Sequence, residues 1–179
     1  HIAKMWKISI TLKKKSKNSI ENVLKSITED LYKCPNLPQT PERILNKTKS
    51  KNLLEISLVD HHFGKYCING SGIEDSKNTF YKAIQNLLSK TESFSIDGIL
   101  LPVGNDFFHI DNMEKTTSRG TPQDTDGLLF DIFKDGCKSL VDSIQLLSSV
   151  APVNILWVHG NHDFSTSFFL CEYLKAYFH

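Results

Sequence analysis

The chain has 179 residues, 40% of them hydrophobic and 10% aromatic, enough to bury one core of ordinary domain size. Its formal net charge of +1 conceals an asymmetry, because residues 1–52 hold 12 Lys/Arg against 4 Asp/Glu while residues 53–179 hold 9 against 16. A basic arm suits contact with nucleic-acid backbone and an acidic body suits carboxylates gathered around cations, whereas no stretch reaches the roughly 18–20 apolar residues that would span a membrane.

Met5 to Leu12 alternates apolar and polar positions, the period of a half-buried strand, and Lys13-Lys14-Lys15 ends it. Ile20, Val23, Leu24, Ile27 and Leu31 then share one helical face behind Ser19. Pro35, Pro38 and Pro41 disfavour regular structure, which makes 34–52 a linker and 1–52 a small basic α+β appendage. Beyond it, apolar runs alternate with helical patterns, as in a parallel sheet covered by crossover helices. Leu53 to Val59, Ile99 to Val103 and Val153 to Val158 read as strands; Thr79 to Leu88, Asp124 to Leu147 and Ser167 to Phe178 read as helices, with Asp124 capping the second. The expected fold is α/β, one domain over 53–179. The scattered Cys34, Cys67, Cys137 and Cys171 form no short-spaced pair, and free thiols together with the missing apolar span give the expectation of a cytoplasmic protein.

Each apolar run stops at residues able to bind metal: Asp60-His61-His62, then Gly104-Asn105-Asp106 with His109 and Asp111 following, then His159-Gly160-Asn161-His162-Asp163. The carboxyl ends of parallel strands lie along one edge, so these clusters should converge. Two divalent cations about 3.5–4 Å apart need a shared carboxylate with imidazoles and amide oxygens around it. Asp60 and His62 can chelate one ion, Asp106 can bridge two, with Asp111 as a second candidate, and Asn161 can add an amide oxygen. His162 would meet the substrate as proton donor or charge stabiliser, oriented by Asp163. Arg119, in the Gly/Thr/Pro-rich stretch 116–124, offers a guanidinium fork to phosphate. His61, His109 and His159 read individually as supporting or surface histidines.

The ordered set Asp60-x-His62, Gly104-Asn105-Asp106 and Gly160-Asn161-His162-Asp163 resembles the calcineurin-like metallophosphoesterase superfamily over residues 53–179, and 104–124 is similar to phage- and virus-encoded members. The resemblance implies half of a metallophosphoesterase sandwich, a phosphodiesterase or nuclease acting on DNA or RNA, and two divalent ions, Mn²⁺ ahead of Fe or Zn²⁺. In the family pattern the bridging aspartate directly follows glycine and a second aspartate comes three residues later; here Asn105 intervenes and His109 takes the later place. The family's isolated histidine and Gly-His-x-His motif are absent from the 179 residues. The expectation is therefore a C-terminally incomplete domain, completed by a further segment or a second copy, or a truncated, catalytically silent relative that binds nucleic acid or protein. Asp60-His61-His62 also spells the signature of the DHH phosphoesterases, a reading that leaves 160–163 unexplained.

Overall fold

Along β2 (Gly98–Gly104), Ile99, Leu101 and Val103 are buried while Leu100 and Pro102 are half-buried, the alternation of a strand with one face in a core. The structure, a computed structural model, describes residues 52–69 and 72–178; the strand, the helix and nearly all of the linker expected in residues 1–52 lie outside that range. β2 is the centre of a parallel sheet, flanked by β1 (Leu53–Glu55) and β3 (Val153–Val158) in the order β1-β2-β3. Parallel neighbours need crossovers. These contain α1 (Ile73–Ser89) and α2 (Leu129–Ser148), and α3 (Phe164–Tyr177) follows the last strand. The α/β class is as expected.

β1 is shorter than its apolar run, and Pro102 explains why. Leu100 turns its backbone groups toward β1, where its carbonyl accepts from Ile56 N at 3.0 Å. In a parallel ladder the next residue facing the same way is Pro102, which has no N–H to give. Pairing lapses there and resumes where the N–H groups of Asp60, His62 and Phe63 reach the carbonyls of Asn105, Asp106 and Phe107. The chain thus leaves the sheet and returns to it at the site described below.

Two helix starts differ from the sequence pattern for local reasons. α1 begins at Ile73, ahead of Thr79, because Asp126 Oδ2 accepts from Ile73 N at 2.9 Å and satisfies a free donor of the first turn. α2 begins at Leu129, after Asp124, because Gly127 at φ 91° is incompatible with a helix. Asp124 gives its carbonyl to Tyr66 N instead. Its expected capping role passes to Asp126, and for the other helix.

The core lies on the face of Ile99, Leu101 and Val103. Against it pack Ile132, Leu140 and Leu147 of α2, the Phe80, Ile84 and Leu88 stripe of α1, and Leu170 and Leu174 of α3, each stripe at helical spacing. Trp157 Nε1 donates to Ser167 Oγ at 3.1 Å, fastening β3 to α3 on this face. On the opposite face the register sets Leu53 beside Gly98 and Leu156 beside Pro102; these two leucines are 64% and 50% exposed. No helix among the described residues is long and apolar enough to cross a membrane.

Gly136 tests this packing. An alanine there would gain about 1 kcal/mol of helix propensity, but its Cβ would run into the buried Phe108 ring. Overpacking of that kind costs about 1–3 kcal/mol. Gly136→Ala is expected to destabilise the chain by about 1 kcal/mol net; a urea midpoint equal to or above wild type would show that Phe108 has room to move.

A candidate metal centre at the strand ends

The three loops that leave the carboxyl ends of the strands are stitched together by backbone hydrogen bonds. Asn105 N donates to Val158 O at 2.6 Å, His62 N to Asp106 O at 2.9 Å and His109 N to Phe63 O at 3.1 Å. This puts Asp60, His62, Asp106, His109 and His162 at one edge. His62 Nε2 lies 3.1 Å from Asp60 Oδ1. The His62 and His162 rings are 4.4 Å apart by centroid, and the His109 ring stacks on His162 at 5.3 Å. Asp106, only 7% exposed, accepts His162 N at 2.6 Å through Oδ1. Gly160 must be glycine for this, because a Cβ would strike Asp106.

Asp60, His62, Asn105 and Asp106 have φ of 60°, 53°, 48° and 66°, the left-handed region that costs a side-chain-bearing residue about 1 kcal/mol. Asn, Asp and His tolerate that region better than most because their short polar side chains bond locally. Four of the five such non-glycine residues among those described stand in the first two clusters. Backbone strain is gathered where the candidate ligands are.

Asp163 has a different part from the one expected. Its fully buried carboxylate accepts Asp106 N at 3.1 Å and Phe108 N at 3.0 Å, so it braces the second cluster against the third. The His162 ring is oriented instead by the carbonyl of His109, 2.9 Å from Nδ1. A carbonyl can only accept, so that contact places a proton on Nδ1 and makes Nε2 the nitrogen that faces away from it. Asp111, the second candidate bridge, caps α3: its Oδ1 accepts Ser165 N at 2.9 Å and Thr166 N at 2.8 Å. This starts the helix at Phe164, ahead of Ser167.

Asn161 is exposed and lines an adjoining cleft of about 590 Å³ with Asn105, Asp111, Arg119 and His159. Arg119 therefore stands beside the third cluster, within one cavity. His61 is not part of the histidine group: its ring packs on Phe63, Phe80 and Phe107, and Nε2 lies 3.1 Å from Ser76 O. His109, expected in a supporting role, stands inside that group. One ring nitrogen from each of His62, His109 and His162 lies within 4.8 Å of the others. The available signal was its spacing from Asp106, since two buried phenylalanines between them return the chain to the same edge.

The electrostatics disfavour charge on His62 and His109. Burial pushes His109 down to about 4, and His62 and His162 beside it add to the fall. His62 is lowered by burial and by His162, against the opposing pull of Asp60 and Asp106. Neutral imidazoles with adjacent carboxylates form a donor set that fits borderline divalent cations.

Burial raises Asp163 to about 6 in spite of its two backbone donors, so it and His109 act oppositely on stability. His109, lowered from 6.5 to about 4, contributes stability present above pH 6.5 and lost as the pH falls toward 4. Asp163, raised from 3.8 to about 6, contributes stability present below pH 3.8 and lost as the pH rises through 6. Asp163→Ala should cost about 2–4 kcal/mol near neutral pH by stranding two buried N–H groups. It should also make the acid-side loss between pH 6.5 and 4 steeper than in wild type. Urea titrations across that range check both, and an unchanged slope would remove Asp163 as the opposing group.

Comparison of the chain with family models, with curated proteins and with solved structures found no match.

Proposed function

We propose that this chain is a metal-dependent phosphoesterase of the calcineurin-like kind, hydrolysing phosphodiesters of nucleic acid at a dinuclear centre. The observation that carries the reading is the meeting of three strand-end loops, which gathers three imidazoles and the carboxylates of Asp60 and Asp106 at one edge of a parallel sheet. Asp60, His62, Asp106 and Asn161 are the residues to hold two divalent cations, Mn²⁺ first, with Fe or Zn²⁺ also suited to mixed N/O donors. Bound there, such ions supply Lewis acidity toward a phosphoryl oxygen and an attacking water.

The protein's own groups do the rest. His162, held through Nδ1, presents Nε2 for proton exchange with the leaving oxygen. Arg119 faces the same cleft as Asn161 and offers a planar fork to a phosphate. Asp163 is a positioning residue that fixes the Asp106 loop. The net +8 of residues 1–52 favours a polyanionic substrate over a small monoester. A second reading, a catalytically silent module that binds a partner, draws on the exposed Leu53 and Leu156 of the open sheet face.

Turnover of bis-p-nitrophenyl phosphate with Mn²⁺ separates the two. Loss of groups that only orient a ligand costs about 10–100-fold, so Asp106→Asn should lower kcat by at least about 100-fold. Absence of Mn²⁺-dependent turnover, or turnover indifferent to Asp106→Asn, would sink the enzymatic reading.

A further inference from the structure

We infer that His62, His109 and His162 form a three-imidazole site for one divalent cation of the zinc class, with His62 Nδ1, His109 Nδ1 and His162 Nε2 as ligands. This goes beyond the dinuclear reading, which uses His62 alone of the three as a ligand. It stands on ring geometry independently of any phosphoesterase activity.

His62 Nδ1 and His109 Nδ1 face each other at 3.1 Å. Two nitrogens each about 2.0–2.1 Å from a common ion, at angles between octahedral and tetrahedral, are separated by about 2.9–3.4 Å. A simple N–H···N bond would also give that distance, but it does not account for the third ring. His162 is turned so that its outward Nδ1 meets the His109 carbonyl at 2.9 Å, and His62 has its outward Nε2 at 3.1 Å from the Asp60 carboxylate. An oxygen on the far nitrogen is the arrangement that fixes the tautomer and direction of metal-bound histidines. Two of the three imidazoles have it.

One ring nitrogen from each histidine lies within 4.8 Å of the others, so binding requires ring movements of about an ångström to reach ligand distances. His109 is 5% exposed, and the His62 side chain, 20% exposed, opens the site to solvent. Asp60 then serves as the carboxylate behind His62. A cation held here engages His162 Nε2, the nitrogen that proton transfer needs, so a zinc-class ion should inhibit Mn²⁺-supported turnover.

The test is Zn²⁺ affinity, measured by competition with a chromophoric chelator, and the visible spectrum of the Co²⁺ form, for the full chain and for His109→Asn and His162→Gln. Far-UV circular dichroism checks folding. His162→Gln changes a half-buried ring and keeps the test decisive if the buried His109 variant does not fold. We expect one Zn²⁺ per chain, affinity lowered by at least about 10–100-fold in each variant, and loss of the Co²⁺ ligand-field bands. Wild-type affinity and spectrum in the folded variants, or no Zn²⁺ binding by the unaltered chain, would overturn the site. If Zn²⁺ binds as described but Mn²⁺ supports no hydrolysis, the proposed function fails and the site stands.

Discussion

The buried carboxylate of Asp163 is the contact on which the rest of the strand-end architecture depends. It receives the N–H groups of Asp106 and Phe108 at a place no water reaches, so both donors would otherwise be orphaned in the core. Because Asp163 also stands immediately before α3, the same residue ties the last helix to the loop after β2. The Asp106 carboxylate answers from the other side by accepting His162 N. Two aspartates 57 residues apart thus hold one another's loops, and the histidine rings inherit their positions from this lock.

Around the lock, the sheet and the site have complementary needs. Pro102 breaks the β1–β2 ladder, and the released chain turns through left-handed conformations at Asp60 and His62 before pairing again. A continuous strand would have kept those two residues on one face about 6.5 Å apart along the chain; the interruption brings His62 Nε2 to 3.1 Å from Asp60 Oδ1. The aromatic group Phe63, Phe107 and Phe108 sits directly beneath, fully or almost fully buried, and gives the strained loops a rigid floor. In α2 it meets Gly136, where a missing side chain admits the ring.

Much of this was legible in the residues. β3 coincides with its apolar run, and the convergence of three clusters followed from parallel strands ending on one edge. Helix and strand ends were less accessible, because they are decided by partners distant in sequence: Asp126 for α1, Asp111 for α3, Pro102 for β1. The same limit applied within the site. Asp163 looked like a partner for the imidazole next to it, yet its oxygens point to amides in another loop, and the imidazole finds a carbonyl instead. His109 was read as a supporting or surface histidine because its spacing from Asp106 says nothing of the rings that will surround it. Only the assembled loops disclose that.

The left-handed residues have a further consequence, for how such a chain would drift. Asp60, His62 and Asn105 occupy conformations that glycine adopts freely, so selection for folding alone would favour glycine there, whereas the Asp106 carboxylate also holds the His162 loop. Their presence costs about 1 kcal/mol of stability apiece. A descendant without the proposed chemistry should shed that cost first at Asn105, whose side chain is not among the proposed ligands, and later at Asp60. The backbone angles at the strand ends are in that sense a gauge of whether a lineage still uses its site.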